Sequence, residues 1–317
     1  MNNFTFQVTT DIRFGKDRLN ELPEVLNTFG KNVLLVYGGG SIKKSGLYDQ
    51  VMAQLQNNNN QVTELAGVEP NPRIETVAKG AELCHTEKID VILAVGGGSV
   101  IDCSKVIAGA ACSEEDPWTL VTKRSYQGPA LPLVTVLTLA ATGSEMNRGA
   151  VITNLTAKQK LGVHGPNFLP KVSFLDPTWT FSVNRYQTAA GSADIMSHLI
   201  ENYFSTTENT DVQDGIAEGL LKAVITNLPI ALDTPDDYDA RANLMWASTL
   251  ALNGLTGSGK AGAWSCHPME HELSAFYDIT HGIGLAILTP RWMLHVLNET
   301  TAPKLARFAR EVFQVEA

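Results

Sequence analysis

Val91-Ile92-Leu93-Ala94-Val95-Gly96-Gly97-Gly98-Ser99 is the stretch on which the fold turns. A continuous apolar run of this length suits a strand buried on both faces of a parallel sheet, where helices cover each side. The glycines let the chain leave the strand in a tight turn, and residues 100–111 read as the helix that follows. The same order of events occurs earlier: Asn32-Val33-Leu34-Leu35-Val36-Tyr37 runs into Gly38-Gly39-Gly40-Ser41, with a helix over residues 46–55. Strand, glycine turn and helix, repeated, predict a parallel α/β sheet.

The pattern continues on either side. Residues 62–65 form a further strand, the two prolines in segment 69–73 start a helix over Ile74–Thr86, and Leu133–Leu137 is another buried strand. Residues 150–153 and Val172–Leu175 also read as strands, and the alternating FTFQVTTDIRFG near the N-terminus reads as a strand or hairpin at a sheet edge. Beyond Asn184 the glycine-rich strand ends fade, and helices are expected over residues 188–204, 211–228, 239–255, 263–276, 281–297 and 304–313. The boundary therefore falls near residue 185, with an α/β domain over residues 1–185 and an all-α domain over residues 186–317.

Composition narrows the class. Hydrophobic residues at 44% and charged residues at 18% describe an ordinary globular chain rather than a disordered one. A net charge of −9 excludes nucleic acid and an anionic membrane as expected partners. No uninterrupted apolar run is long enough to span a bilayer, and MNNFTFQVTTDIRFG lacks the basic-then-apolar order of a signal peptide, so a cytoplasmic protein is expected. Cys84, Cys103, Cys112 and Cys266 form no CxxC pair and read as reduced thiols.

Two GGGS turns at strand ends point to a phosphate ligand. Glycine lets backbone amides approach closely, and a helix starting there offers free N–H groups and a partial positive charge. A third turn, Thr142-Gly143-Ser144, follows Leu133–Leu137, and several loops together suit a dinucleotide, although G-x-G-x-x-G is absent. The first loop, YGGGSIKKSG, carries no acidic residue for a ribose 2′-hydroxyl and has Ser41, Lys43 and Lys44 close by, which favours the 2′-phosphate of NADP(H).

A second set of residues suits one divalent metal ion. Asp194 and His198 are four apart, as are His267 and His271, and His281 follows. Residues four apart share a helix face, so each pair can point into one cavity, and a carboxylate with imidazoles suits Fe2+ or Zn2+. In one unbroken helix His267 and His281 would stand about 21 Å apart. The chain must therefore bend between them, and Tyr277-Asp278-Ile279-Thr280 is the natural place, with Asp278 or Thr280 available as a cap. Spacing leaves open whether His271 is a ligand or a neighbour that faces the cofactor or relays a proton.

GGGSVID-x-x-K from Gly96 to Lys105, TGSE at Thr142 to Glu145, ADIMSH, and the H-x-x-x-H…HG…P pattern from His267 to Pro290 together resemble the iron-containing (group III) alcohol dehydrogenase family, closest to its NADPH-dependent aldehyde reductase and butanol dehydrogenase branch. The resemblance covers essentially the whole chain. It implies a dehydroquinate-synthase-like architecture: an N-terminal dinucleotide-binding domain, a C-terminal helical domain, and a cleft for cofactor and metal, in a homodimer. It implies Asp194, His198, His267 and His281 as ligands, with catalytic His271 beside the nicotinamide. Gly38, Gly39, Ser41, Asn71, Gly97, Gly98, Ser99, Thr138, Thr142, Asn147 and Lys160 would line the cofactor channel, with Gly39 selecting NADP(H). The expected activity is hydride transfer between NADP(H) and a primary alcohol or aldehyde, in the direction of aldehyde reduction. A glycerol or other polyol dehydrogenase on the same scaffold, or a truncated inactive binding protein, are the alternatives. Family members continue past the point where this chain ends, so a truncated C-terminus is expected.

Overall fold

Both glycine-terminated runs are strands of one six-stranded parallel sheet in the computed structural model, which describes residues 1–262 and 264–315. Two compact units are present. One comprises Val8–Leu139 and Ser144–Ser182; the other comprises Met1–Gln7, Ala140–Gly143 and the chain from Val183 on. In chain order the first holds β1 (Asp11–Phe14), α1 (Leu22–Asn27), β2 (Asn32–Tyr37), α2 (Ser41–Lys44), α3 (Leu47–Asn57), β3 (Gln61–Leu65), α4 (Ile74–Thr86), β4 (Val91–Gly96), α5 (Gly98–Ala110), α6 (Pro117–Thr122), β5 (Leu133–Leu137), β6 (Gly149–Asn154), β7 (Gln159–His164) and β8 (Val172–Leu175).

The strand order is β1-β8-β5-β4-β2-β3, and every pair in it is parallel. From β2 the chain moves to β3 at one edge; from β4 it moves the other way, to β5. The direction therefore switches between β2 and β4, which are paired with Tyr37 opposite Val95. Ligands of open α/β sheets collect beyond the strand ends at such a point, and both glycine runs lie there. The strands earn their burial: Val33, Leu35, Val91, Leu93, Val134, Val136 and Phe174 pack with Leu22, Leu26, Leu47 and Leu55 of the covering helices.

Of the two forms expected for the N-terminal stretch, the edge strand is the one found: β1 lies at the end of the sheet, parallel to β8, with the hydroxyl of Thr10 donating to the carbonyl of Pro170 at 2.7 Å just before it. Residues 150–153 have an antiparallel partner, β7, in which Lys160 faces Thr153. Lys160 is buried there at 6% exposure. The short α2 and α6 were not legible, since neither is long enough to show a period.

The helical unit holds α7 (Arg185–Tyr203), α8 (Asp211–Asp233), α9 (Tyr238–Ala251), α10 (Cys266–Tyr277), α11 (His281–Val296) and α12 (Ala302–Phe313). Ala263, the expected start of α10, and the terminal Glu316 and Ala317 lie outside the described residues. Ile195, Leu199 and Tyr203 of α7 pack with Leu221 and Val224 of α8, Leu244 of α9 and Phe308 and Val312 of α12. Helix α8 runs past Leu228 through Pro229, because the lost hydrogen bond is local and Ala231 beyond it is buried. By length and composition α8 could cross a membrane. Its Asp214 and Glu218, however, are buried against Lys260, Lys304 and Arg307, as in a core helix.

Chain reversal between α10 and α11 occurs where the spacing required it. Asp278 adopts the left-handed conformation (φ 51°) and closes α10, while Thr280 is extended and precedes α11 without a side-chain cap bond. Asp278 therefore ends one helix rather than starting the next. Glycine brings α11 against α7: a Cβ on Gly282 would lie 1.9 Å from the carbonyl oxygen of Ala190. Backbone atoms cannot move aside cheaply, so Gly282→Ala is expected to cost on the order of 3 kcal/mol. Gly219→Ala, on an exposed stretch of α8 with nothing within 4 Å, should be neutral or stabilising by up to about 1 kcal/mol. Urea unfolding of both variants checks the contrast, and equal midpoints would contradict it.

Candidate functional site

Helix α7 supplies the first donors. Asp194, His198 and Glu201 are four and three residues apart, leave one face of the helix, and are all buried. His267, Glu270 and His271 come from α10, and α11 opens on His281. The Nε2 atoms of His198, His267 and His281 lie 3.5, 3.7 and 3.6 Å from a single atom, Oδ1 of Asp194. These separations sit at or beyond the limit of a hydrogen bond. Four donors held at about 2.1 Å around one tetrahedral ion lie about 3.4 Å from each other. The spacing therefore fits a shared ion better than direct bonding.

The hydrogen-bond inventory points the same way. Oδ1 of Asp194 and Nε2 of His267 are buried without a hydrogen-bond partner, a cost that a cation at their centre would remove. One atom each from Asp194, His267 and His281 lies within 4.8 Å of the other two, and His198 is tied to this set by its 3.5 Å approach to Oδ1 of Asp194. A second such group joins Glu270, His271 and His281, so His271 sits with the outer face of His281 rather than in the Asp194 group. Its ring is 5.7 Å from that of His281 and 6.5 Å from that of His267. Cys266, next to His267, is in neither group, and burial pushes its thiol up to about 11.

Electrostatics separates the three histidines' roles. Burial opposes ionisation of Asp194, but its attraction to His198, His281 and His267 outweighs it and holds the carboxyl well below the usual range. Burial pushes His198 down to about 3, so that ring is neutral. His267 is also buried, yet Asp194 and Glu201 raise it to about 9. The indole of Trp264 lies 4.6 Å from the His267 ring and 5.7 Å from the His198 ring, covering both. Met269 and Phe276 of α10 are 41% and 59% exposed and so lie outside the core.

In the sheet unit, Gly38, Gly39 and Ser41 follow β2, and Gly97, Gly98 and Ser99 follow β4 at the start of α5. Thr138 follows β5, its N–H donating to the carbonyl of Gly96 at 3.1 Å, so the second and third loops are tied together. Asn71 takes a left-handed conformation (φ 53°) and is nearly buried. A Cβ on Gly39 would meet nothing within 4 Å. Asn147 and Lys160 belong to this unit as well, whereas Thr142 lies in Ala140–Gly143, which belongs to the helical unit.

Sheet and donor set together define a two-unit α/β-plus-α protein with a candidate divalent-metal centre. Residues 9–177 match the iron-containing alcohol dehydrogenase family, and residues 188–316 match the C-terminal region of the Fe-containing alcohol dehydrogenase family. The chain belongs to the iron-containing alcohol dehydrogenase family, and is by family an alcohol dehydrogenase or aldehyde reductase. It is 53% identical over 316 residues to NADH-dependent butanol dehydrogenase A of Clostridium acetobutylicum, covering 100% of this chain and 81% of that one. It is 40% identical over 318 residues to the NADPH-dependent aldehyde reductase YqhD of Escherichia coli, covering 99% and 81%. The crystal structure of NADH-dependent butanol dehydrogenase A from Thermotoga maritima superposes with a TM-score of 0.96 at 42% identity, covering 100% of this chain and 80% of that one. The family's cofactors are a nicotinamide dinucleotide and iron.

Sequence reasoning passed over three charged residues. Glu201, seven after Asp194, and Glu270, three after His267, contact the Nδ1 atoms of His267 and His281. Helical spacing sets both on the turns that carry the donors, but only the contacts across helices distinguish them from ordinary helical carboxylates. The third is Lys105, fully buried in the motif that begins at Gly96. Its ammonium donates to Ser144 Oγ at 2.8 Å, Asn147 Oδ1 at 3.0 Å and the Gly149 carbonyl at 2.8 Å, and so fastens the segment after the third loop to α5. Burial pulls its pKa down to about 8, against the attraction of Asp102 and Glu145. Lys105→Met is expected to cost on the order of 3 kcal/mol, because it removes three hydrogen bonds and the buried cation that Asp102 and Glu145 attract. A urea midpoint unchanged from wild type would contradict that.

Proposed function

We propose that the protein is a metal-dependent, NADP(H)-using alcohol dehydrogenase that reduces aldehydes to primary alcohols, acting as a cytoplasmic homodimer. The observation that carries the metal centre is the convergence of three imidazole nitrogens on the unpartnered Oδ1 of Asp194. Asp194, His198, His267 and His281 are the proposed ligands of Fe2+ or Zn2+. The loops at the switch point between β2 and β4, with Asn71, Thr138, Thr142, Asn147 and Lys160, are the proposed nucleotide contacts.

When bound, the ion would supply Lewis acidity to a carbonyl oxygen, and the reduced nicotinamide would supply hydride. The chain's own share is positioning and exclusion. Four buried or half-buried side chains would hold the ion, and the Trp264 ring, 4.6 Å from that of His267, covers one side of the donor set. Half-buried His271 is assigned the transfer of a proton to and from solvent. At the nucleotide, amides of the glycine loops and the N-terminus of α5 would meet the phosphates.

Preference for NADP(H) rests on the first loop. Gly39 offers no acid and open space. The carboxylate beside the loop, Glu64 of β3, is already engaged by the hydroxyls of Tyr37 and Tyr48 at 2.6 and 2.9 Å. NADPH is the cofactor named for the Escherichia coli relative, and NADH for the butanol dehydrogenase relatives. With Fe2+ or Zn2+ restored, the purified protein is expected to oxidise NADPH with straight-chain aldehydes such as butanal at roughly ten times the kcat/KM found with NADH, the worth of about 1.4 kcal/mol at the 2′-phosphate. Faster turnover with NADH would overturn the Gly39 argument; no turnover with either, metal being retained, would overturn the enzyme reading.

His267→Ala should lose the metal while NADPH still binds; retained metal would reassign the ligands. Metal uptake must also displace the proton that Asp194 and Glu201 keep on His267. A pKa raised to about 9 stabilises the ion-free protein below pH 6.5, and that contribution is lost as pH rises through about 9. Zn2+ affinity should therefore climb by about tenfold per pH unit from 7 to 9 and then level. Chelator competition across that range checks the slope, and a flat profile would count against His267 as a ligand.

A further inference from the structure

We propose that Glu201 is a positioning residue that fixes the tautomer of His267 and couples metal retention to the start of α10. The inference rests on the metal centre proposed above. Its basis is the number and kind of bonds that Glu201 accepts. Oε1 accepts the backbone N–H groups of Ser265 and Cys266, each at 2.5 Å. Oε2 accepts the N–H of His267 at 3.3 Å and contacts its ring Nδ1. Ser265, the residue before α10, makes no side-chain cap bond of its own. A carboxylate from α7 therefore satisfies the first amides of α10, a task that a helix usually gives to its own N-cap residue.

This arrangement constrains the ring. Backbone N–H groups only donate, so both oxygens of Glu201 must present lone pairs to them. Because Oε2 already accepts the backbone N–H of His267, it meets the ring as an acceptor too, which leaves Nδ1 the role of donor. With its proton on Nδ1, a neutral His267 directs the lone pair of Nε2 toward Oδ1 of Asp194, 3.7 Å away. Glu270 stands to His281 in the same way, contacting its Nδ1 and receiving the hydroxyl of Ser274. Gly284 makes room for it, since a Cβ there would come within 2.7 Å of Glu270 Cγ. His198 differs, because its Nδ1 is buried without a partner.

Glutamine at position 201 separates the two duties. Its single oxygen can still accept from the amides of Ser265 and Cys266, while its NH2, in the place of Oε2, gives up the long bond from the His267 amide and faces Nδ1, which forces the ring proton onto Nε2, where it blocks the ligand atom. Glu201→Gln should therefore bind Zn2+ about 10- to 100-fold more weakly than wild type in chelator competition, with NADPH binding unchanged and a melting temperature close to wild type. Long-range 1H–15N spectra recorded with the rings neutral should show the His267 proton on Nδ1 in wild type and on Nε2 in the variant. Wild-type Zn2+ affinity in the variant would overturn the proposal. So would weakened affinity with an unmoved ring proton, which would make Glu201 a helix cap alone. The wild-type spectrum tests the idea even if the variant does not fold, since a proton on Nε2 there is fatal to it. Wild type that retains no Zn2+ at all would refute the metal centre itself, a different result from any of these.

Discussion

A buried carboxylate oxygen that no hydrogen-bond donor reaches is the constraint on which the helical unit is built. Oδ1 of Asp194 faces three imidazole nitrogens at 3.5 to 3.7 Å, and neither the oxygen nor Nε2 of His267 has a partner. An arrangement of this kind is unstable unless charge holds it together. Here Asp194 stays ionised because of the imidazoles around it, and His267 holds a proton up to about pH 9 because two carboxylates flank it. A divalent cation would replace that proton and meet the same lone pairs. Several backbone features follow from the need to bring these atoms together. They include the left-handed Asp278 that ends α10, the glycine at 282 that lets α11 touch α7, and the glycine at 284 that admits Glu270.

The sheet unit solves the opposite problem, because its proposed ligand is met chiefly by backbone. Parallel strands aim their carbonyl ends one way, and a change of winding direction between β2 and β4 opens space above them. Glycine is the side chain that leaves amides accessible there. Since backbone cannot be tuned by charge, the unit fixes the loop positions from beneath. Lys105 spends all three ammonium protons on the segment after the third loop, and Thr138 ties the third loop to the second. One buried lysine thus performs for the sheet unit the anchoring that Glu201 performs for the helical one.

Much of this was legible in the chain itself, and the reason is period and contrast. Apolar runs ending in glycine have one economical reading, so β2, β4 and β5 were found with their boundaries nearly intact, and Ile74–Thr86 was found whole. Histidines four apart are equally plain, and the 14-residue gap between His267 and His281 demanded a bend because a helix rises 1.5 Å per residue. What escaped had no such contrast. β7 alternates weakly in QKLGVH, and its identity depends on β6 across the hairpin. Ala140–Gly143 joins the helical unit although its neighbours in sequence belong to the sheet, because membership is set by packing that no local pattern records. Glu201 and Lys105 look like ordinary helical charges until their partners, more than 30 residues away, are in place.

Cofactor choice shows the same limit from the other side. A glycine at position 39 recognises nothing by itself; it only declines to offer a carboxylate to a ribose. The structure adds that a carboxylate is nonetheless close to the loop. Glu64 receives both tyrosine hydroxyls, and the ammonium of Lys43 lies 5.1 and 4.4 Å from the centres of the Tyr37 and Tyr48 rings. Acid and base are therefore held in one exposed cluster, each partly neutralising the other's field. A 2′-phosphate would draw on Lys43 and a 2′-hydroxyl on Glu64, and each must first compete with the tyrosines for its partner. Selection between the two nucleotides then becomes a comparison of two exchange reactions within this cluster. That makes it a small difference between similar terms, which Gly39 would tip toward the phosphate by withholding a second carboxylate.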